Sequence, residues 1–260
     1  MDSVLFSKEG QLARIVLNRP EKLNAISVEM RHAMMRMLDE AEGDSEVRAL
    51  SISGNGKAFS AGADVSDLHG IASKKSLEER EQASRGDTIT DLGMRIRSLD
   101  IPVIAEVHGY CLGGGFELVQ FCDMVYCTED AVFGQPEVRI GIIPGGGGTQ
   151  NLPRIAGQRA AREMVFTARR IGAQEALRLG VVNRVFGGQD EMHRYVMDTV
   201  SEISQAPRVT IAYAKRAMNA TLSTPIQDGL AFERHLVKAL FGSPETERLM
   251  SAFLSRQGHR

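Results

Sequence analysis

The chain has 260 residues, of which 43% are hydrophobic and 25% are charged, and its formal net charge is −2. This length and balance predict one large globular domain, or a domain with an appendage, that buries a substantial core. The 31 basic residues are scattered along the sequence rather than clustered, which argues against a dedicated nucleic-acid-binding surface.

The N-terminal residues contain neither a secretory signal nor an Arg-rich transit pattern, and no apolar run approaches the roughly 18–20 residues that span a bilayer. We therefore expect a cytoplasmic protein that does not enter a membrane. The three cysteines, Cys111, Cys122 and Cys127, are odd in number and lack CxxC spacing. Cys122 and Cys127 allow one bridge, but reduced, buried thiols are the preferred interpretation.

The first half of the chain alternates strand-like and helix-like patterns. Apolar, β-branched runs predict strands at residues 13–19, 47–54, 101–109 and 123–129. Helical spacing of Met and Leu side chains predicts a helix that begins after Ser27 as its N-cap and ends near Gly43. A second helix is predicted over about residues 88–98. This alternation predicts an α/β architecture that contains parallel strands.

From about residue 157 the pattern becomes almost wholly helical. Residues 172–180 predict a short helix that Gly180 stops. Longer amphipathic segments follow at residues 190–204, 207–220, 224–240 and 244–256. We therefore divide the chain into an α/β core, residues 1–190, and a helical C-terminal region, residues 191–260.

Two turns built from glycine or other small residues follow predicted strands. One is LGGGFE, residues 112–117, and the other lies within GKAFSAGADVSDL, residues 56–68. Neither matches a P-loop or a dinucleotide fingerprint, and the sequence has no GxSxG elbow and no zinc-ligand spacing. A helix that begins at such a turn presents free backbone N–H groups, and two of these facing one carbonyl oxygen form an oxyanion hole. The alternative is that the small residues serve tight packing alone.

Two glutamates stand beside bare stretches of backbone. Glu117 follows three glycines, where a carboxylate also suits the positive end of a helix dipole. Glu137 lies in the largely apolar stretch FGQPEVRIGIIP, where burial should raise its pKa as a general acid or base requires. Either glutamate taken alone is more often structural than catalytic, so the prediction depends on the pair.

Five stretches resemble, in order and spacing, the signatures of the enoyl-CoA hydratase/isomerase (crotonase) superfamily. They are LNRPEKLNAIS, GKAFSAGADVSDL, HGYCLGGGFEL, FGQPEVRIGIIPGGGGTQNLPRIAG and RRIGAQEALRLGVVNRVF. The resemblance runs from about residue 12 to the C-terminus. It implies a spiral of ββα turns, with C-terminal helices used for trimer formation and two trimers usually forming a hexamer. The motifs are specific for the superfamily but less so for the reaction, because one fold hosts many activities.

Carried over residue by residue, the resemblance implies that Ala61 and Gly114 supply the two backbone N–H groups that hold a thioester oxygen. It places Glu117 and Glu137 at the two acid/base positions of the hydratases. Their joint presence favours hydration of a 2-trans-enoyl-CoA to a 3-hydroxyacyl-CoA, with Glu117 acting on the water and Glu137 on the proton at C2. No metal or redox cofactor is expected, and coenzyme A enters only as part of the substrate thioester.

The resemblance also implies a set of contacts to the acyl-CoA. The residues expected at the substrate site are Lys22, Asn24, Ala25, Ala63, Asp64, Val65, Leu68 and Gly145, and those expected close to the coenzyme A site of a neighbouring subunit are Phe253 and Arg256. The sequence departs from the family pattern at two positions, because Ser66 stands where lysine is common and Asn151 where arginine is usual.

Two other functions stay open at this point. The nearer one is a Δ3–Δ2 enoyl-CoA isomerase, or another crotonase-type reaction on an acyl-CoA, because members of the superfamily share one fold. The more distant one is a non-catalytic, RNA-binding relative, against which the balanced charge argues.

Overall fold

Two β-sheets form the framework of the protein. The computed structural model describes residues 2–83 and 88–257, with side chains to residue 255. The strands are β1 (Val4–Glu9), β2 (Leu12–Leu17), β3 (Ala49–Gly54), β4 (Ala58–Ser60), β5 (Val103–Val107), β6 (Tyr110–Leu112), β7 (Met124–Thr128), β8 (Val132–Gly134), β9 (Arg170–Gly172) and β10 (Arg184–Phe186). The larger sheet has the order β1-β2-β3-β5-β7-β10, and the smaller has the order β4-β6-β8-β9.

Helices connect and cover these sheets. They are α1 (Val28–Gly43), α2 (Val65–Ala72), α3 (Leu77–Ala83), α4 (Ile89–Ser98), α5 (Gly114–Val119), α6 (Gly148–Ile155), α7 (Gln158–Thr167), α8 (Ala173–Arg178), α9 (Gln189–Ser204), α10 (Arg208–Ala220), α11 (Ile226–Phe241) and α12 (Pro244–Gln257). Short 3-10 helices occur at Pro20–Lys22 and Glu137–Ile140.

The order of the elements repeats along the chain. A strand of the larger sheet is followed by a strand of the smaller sheet and then by helix, first as β3–β4–α2, then as β5–β6–α5, and then as β7–β8–α6. The β2–β3, β3–β5, β5–β7 and β7–β10 pairs are parallel, whereas β1 pairs antiparallel with β2. This repeat confirms the predicted α/β class and its spiral of ββα turns.

The predicted elements agree with the observed ones where the sequence pattern is long. The predicted strands are present as β2, β3, β5 and β7, and Ser27 caps α1 because its side chain accepts a hydrogen bond from the N–H of Met30. The short strands β4, β6, β8, β9 and β10 were not predicted. A strand of three residues is too short to show an alternating pattern. The edge strand β1 was not predicted either, and most of its residues are exposed.

The larger sheet buries side chains on both faces, because successive residues of a strand point in opposite directions. Ile15 and Ile52 belong to the main core together with Met34 of α1. Ile104 belongs to a second apolar cluster on the opposite face, which includes Val196 of α9. The larger sheet is therefore enclosed between α1 and α9.

The C-terminal helices attach to the core in different ways. Helix α9 covers the second face of the larger sheet. Helix α10 is joined to the core by hydrogen bonds of its buried Lys215 side chain. The Nζ of Lys215 donates to the backbone oxygens of Ile96 and Ile101 and to Asp123 Oδ2, at 3.2, 3.0 and 2.7 Å. Helices α11 and α12 expose large apolar side chains, including Phe241, Phe253 and Leu254. The division into two regions at residue 190 stays a prediction.

Candidate active site

A cleft of about 760 Å³ opens where the smaller sheet meets the starts of α2 and α5. Predicted site residues that line it are Ala61, Ala63, Val65, Leu68, Gly114, Glu117, Glu137 and Gly145. Residues that are far apart in the sequence therefore meet on one concave surface, as expected of a ligand-binding site.

Glu117 lies in the first turn of α5, which begins at Gly114 as the LGGGFE pattern predicts. Its side chain is only 3% exposed. Its Oε1 accepts hydrogen bonds from the backbone N–H of Gly146 at 2.7 Å and of Gly148 at 2.9 Å. Burial raises the pKa of Glu117, and these two N–H donors oppose the rise. The ionised form of the carboxylate is thus stabilised by backbone groups that cannot titrate.

The glycines at residues 145–148 permit this close approach. A Cβ atom on Gly146 would lie 2.6 Å from Glu117 Oε2, and one on Gly148 would lie 3.0 Å from Glu117 Oε1. A side chain at Gly146 would displace the carboxylate. The run of four glycines is therefore a binding turn for Glu117, and α6 begins at its last residue, Gly148.

Glu137 begins a 3-10 helix directly after Pro136 and is 8% exposed. Burial raises the pKa of Glu137 to about 7, and the nearby charge of Glu117 adds to the rise. The fully buried Gln135 lies between Glu137 and Gln120. In the amide orientation that satisfies its neighbours, its nitrogen donates to both Glu137 oxygens at 2.9 and 3.0 Å, and its oxygen accepts from Gln120 Nε2 at 3.0 Å.

Sequence reasoning missed Gln135 because a glutamine beside a proline carries no distinctive chemistry. The signal that could have found it is its position two residues before Glu137 in a buried strand end, where a polar side chain needs a partner. Its nitrogen donates to both Glu137 oxygens and so holds that carboxyl in place beside the cleft.

The backbone donors differ from the prediction at one position. The N–H of Ala61 already donates to the backbone oxygen of Leu23 at 2.8 Å, so it is not available to a ligand, and this assignment was wrong. The N–H groups of Ala63 and Gly114 have no acceptor among the described residues. They are neighbours, because a Cβ atom on Gly114 would lie 3.0 Å from the nitrogen of Ala63.

The turn at residues 20–25 is stabilised by the side chain of Asn24. Asn24 is fully buried, and its Nδ2 donates to the backbone oxygens of Asn55 and Ala58 at 2.8 and 2.7 Å. Its Oδ1 accepts from the N–H of Arg19 at 2.8 Å. The Asn24 side chain has therefore used its hydrogen-bonding groups inside the fold, and the contact of this loop with coenzyme A stays a prediction.

Several predicted residues do not reach the cleft. Lys22, Ala25 and Asp64 lie outside its lining. The carboxylate of Asp64 instead pairs with Arg19 at 2.9 Å and accepts from the N–H of Ser66 at the start of α2, and Arg19 lowers its pKa. Phe253 lies in a separate apolar groove among α10, α11 and α12. The side chain of Arg256 is outside the described residues.

The three cysteines agree with the sequence prediction of reduced thiols. Cys111, Cys122 and Cys127 are free thiols, with Cys111 and Cys127 buried and Cys122 half-buried. Desolvation raises the pKa of each thiol. Over residues 2–83 and 88–257, the longest apolar stretches of helix are too short or too polar to cross a membrane.

Comparison with known proteins decides the family. The family model described as enoyl-CoA hydratase/isomerase matches residues 7–259, which is nearly the whole chain. The chain belongs to this family. The family match and the relatives named as hydratases confirm the predicted resemblance, and they confirm the prediction of an enzyme at the level of the family.

The similarity to individual members of the enoyl-CoA hydratase/isomerase family extends over full lengths. A short-chain-enoyl-CoA hydratase from Clostridium acetobutylicum is 37% identical over 99% of this chain and 96% of its own. A 2,3-dehydroadipyl-CoA hydratase from Escherichia coli is 34% identical over 99% and 97%. The crystal structure of enoyl-CoA hydratase subunit I from Geobacillus kaustophilus superposes with a TM-score of 0.90 at 33% identity, over 98% of this chain and 96% of that one.

Proposed function

We propose that the protein is an enoyl-CoA hydratase, which adds water to a 2-trans-enoyl-CoA and forms a 3-hydroxyacyl-CoA. One observation carries the proposal. Two buried carboxylates in unlike environments, Glu117 and Glu137, line the same cleft as two backbone N–H groups that have no acceptor among the described residues. The names of relatives at 37% and 34% identity support the same reaction class.

In the proposed complex the thioester oxygen accepts hydrogen bonds from the N–H groups of Ala63 and Gly114. Ala63 takes the role predicted for Ala61, whose N–H is bonded to Leu23. Both donors belong to backbone that is already ordered, so they need not reorganise while negative charge develops on the oxygen. A neutral thioester gains less from them than the enolate does, and this difference lowers the barrier.

The two glutamates divide the proton transfers. The Glu117 carboxylate accepts a proton from water as the water oxygen bonds to C3, and the electrons of the double bond move towards the thioester oxygen. The enolate then collapses, and C2 takes a proton from the carboxylic acid of Glu137. The product carries the new C3–OH and C2–H bonds. Proton exchange with solvent then returns both glutamates to their starting states.

The environments of the two acids support this division. Burial raises the pKa of both carboxyls, but Glu117 accepts two backbone hydrogen bonds that oppose the rise and favour its ionised form. The pKa of Glu137 is raised to about 7, which keeps a protonated fraction near neutral pH. Two titratable groups whose surroundings push their pKa values apart are suited to opposite roles as base and acid.

The isomerase alternative requires one carboxylate rather than two. Moving a double bond transfers one proton from C4 to C2, and one carboxylate can carry it. Two carboxylates in the same cleft supply both a base for water and an acid for C2, which favours hydration.

The proposed acyl group is apolar. Hydrophobic side chains from α2, α4 and the segment after Glu137 line the cleft beside the carboxylates, namely Leu68, Ile71, Ile89, Ile142 and Ile143. Such a wall gains free energy by excluding water from a hydrocarbon chain, at about 0.8 kcal/mol for each buried CH₂.

We also propose that the protein assembles as a homo-oligomer. An apolar groove of about 540 Å³ lies among α10, α11 and α12 and is lined in part by Leu249, Met250, Phe253 and Leu254. Exposed apolar surface of this kind is typical of subunit interfaces. Size-exclusion chromatography with light scattering should give the mass of a trimer or hexamer, and a monomer at micromolar concentration would contradict the proposal.

The hydratase proposal is tested by the loss of enoyl-thioester absorbance when crotonyl-CoA and longer 2-trans-enoyl-CoAs are added. We expect turnover with at least one of them, and a Glu117→Gln/Glu137→Gln variant serves as the control for background. No turnover across short and medium chains would contradict the proposal. Conversion of a 3-enoyl-CoA without hydration would favour the isomerase.

A further inference from the structure

The turn that binds Glu117 is itself supported by side chains that do not line the cleft. The middle residue of this turn, Gly147, has a backbone φ of 110°, a conformation that favours glycine. A Cβ atom on Gly147 would lie 2.8 Å from Cζ of Phe121 and 3.0 Å from Nδ2 of Asn151. Gly147 is therefore packed against the Phe121 ring and the Asn151 amide, and its two neighbours are the residues whose N–H groups bind Glu117.

Arg97 of α4 joins these two supporting side chains. Its Nη2 donates to Asn151 Oδ1 at 3.0 Å, and its guanidinium carbon lies 4.5 Å from the centre of the Phe121 ring. Asn151 and Phe121 are both buried, and the N–H of Asn151 donates to the backbone oxygen of Gly147 at 2.8 Å. A guanidinium at this distance from an aromatic face is attracted to it.

The position of Arg97 is also fixed from its other side. Its backbone oxygen accepts from Asn219 Nδ2 of α10 at 2.9 Å. Its side chain is half-buried, and desolvation lowers its pKa, which the charge of Asp123 opposes. An aliphatic side chain could cover Phe121 without this desolvation cost, but it could not reach the Asn151 oxygen with a hydrogen bond. The guanidinium thus makes a hydrogen bond to Asn151 that packing against Phe121 alone would not require.

We propose that Arg97 is a positioning residue, which acts through Asn151 and Phe121 to keep the N–H groups of Gly146 and Gly148 directed at Glu117. The proposal rests on the proposed hydratase function for its effect on catalysis. Without Arg97, the Asn151 amide and the Phe121 ring lose the group that links them, and the turn between them gains freedom. The two hydrogen bonds to Glu117 then weaken, so its carboxylate is less stabilised and a poorer match to the base role.

The first experiment compares Arg97→Ala with Arg97→Lys and with the matched control Arg95→Ala. Arg95 lies on the same helix but pairs with Asp39 and Glu42 of α1, at 2.8 and 2.7 Å. We expect Arg97→Ala to lower kcat about 10-fold, with KM within about twofold, and to shift the acid limb of the kcat–pH profile upward by about 0.5 unit or more. Arg97→Lys should recover part of the loss, and Arg95→Ala should leave the pH profile unchanged.

A double-mutant cycle with Asn151→Ala tests whether Arg97 acts through that residue. If it does, the kcat of Arg97→Ala/Asn151→Ala should lie within about twofold of the kcat of the more impaired single variant. Additive losses would contradict the proposed route through Asn151. A kcat and pH profile of Arg97→Ala that equal those of Arg95→Ala would overturn the positioning role.

A measurement without substrate separates this proposal from the hydratase proposal. In protein labelled with ¹³C at the glutamate carboxyls, the Glu117 resonance, assigned by its loss in Glu117→Gln, reports the pKa directly. We expect Arg97→Ala to raise the pKa of Glu117. An unchanged pKa would contradict the positioning role, and this outcome can be read even if the wild type is inactive on every enoyl-CoA. If Arg97→Ala does not fold, Arg97→Lys and Asn151→Ala allow the same titration.

Discussion

Two glutamates, one in the cleft and one on the larger sheet beneath α9, are equally buried, yet they have different surroundings. Glu117 and Glu106 are each 3% exposed. Glu117 faces an open cleft and is bound by two backbone N–H groups of a glycine turn. Glu106 lies beneath α9, where its Oε2 bonds to Nδ1 of His193 at 3.0 Å and its Oε1 has no partner among the described residues.

Burial alone therefore does not distinguish Glu117, the proposed base, from Glu106, to which no catalytic role is assigned. The distinction lies in what neutralises the charge and in what can reach it. Backbone N–H groups do not titrate, so Glu117 keeps its donors at every pH and remains open to a substrate. An imidazole titrates near neutrality, so the Glu106 pair links the packing of α9 to pH.

The largest expected effect is a difference in kcat between variants of the cleft glutamates and a variant of Glu106. Glu117→Gln and Glu137→Gln should each lower kcat at least about 100-fold, because general acid–base groups contribute about 10²–10⁴-fold. Glu106→Gln is the matched control, since it makes the same change in an equally buried glutamate, and it should stay within about twofold of the wild type. Near-normal turnover in either cleft variant would remove that residue from the mechanism.

The second prediction concerns the donors of Glu117. Gly146→Ala should lower kcat about 30- to 100-fold, because its Cβ would lie 2.6 Å from Glu117 Oε2 and displace the carboxylate. Steady-state kinetics with thermal unfolding as a companion measurement checks this. Gly43→Ala is the control, since that exposed position at the end of α1 has free space, and its kcat should not change. Equal kcat values would show that the close contact is unimportant.

The third prediction concerns the stability of the contact between Glu106 of β5 and His193 of α9. Glu106→Ala should lower the free energy of unfolding by about 2 kcal/mol, because it removes a buried, charge-assisted hydrogen bond and leaves His193 without that partner. Urea denaturation provides the measurement. Glu202→Ala, at an exposed position of α9, should change the value by less than about 0.5 kcal/mol. A Glu106→Ala protein as stable as the Glu202→Ala control would mean that the pair contributes nothing.

The smallest expected effect is a pH dependence. The hydrogen bond to Glu106 raises the pKa of His193 above its ordinary 6.5, against desolvation and the charge of Arg14, and Glu9 adds to the rise. The folded state therefore binds the proton more tightly than the unfolded state does. The resulting stabilisation is fully present below pH 6.5 and is lost as the pH rises through the raised value.

We therefore expect the contribution of His193 to the free energy of unfolding, taken as the difference between wild type and His193→Gln, to fall between pH 6 and pH 8 by less than about 1 kcal/mol, since His193 is partly exposed and its ion pairs are screened. The difference isolates His193 because Glu137, whose pKa is raised to about 7, titrates in the same range in both proteins. The pH dependence should flatten in His193→Gln. A difference that rises over this range, or a variant curve of the same slope, would contradict the assignment.

Most of the local structure could be predicted because it depends on neighbouring residues. The cap at Ser27, the helix start at Gly114 and the long strands follow from propensity and spacing. The exchange of Ala61 for Ala63 could not be predicted in this way. Which N–H is available depends on the carbonyl of Leu23, which lies on another turn of the chain.

The sequence by itself determined the family, the alternation of strands and helices and the two glutamates beside glycine turns, because each of these is a short pattern within one stretch of chain. The tertiary structure decided which groups those patterns meet. It brought Gly146 to Glu117 and set Gln135 against Glu137, and it placed Arg97 behind the turn that binds Glu117. Hydrogen bonds between distant segments depend on distances that no local pattern contains, and these bonds give Glu117 and Glu137 different surroundings.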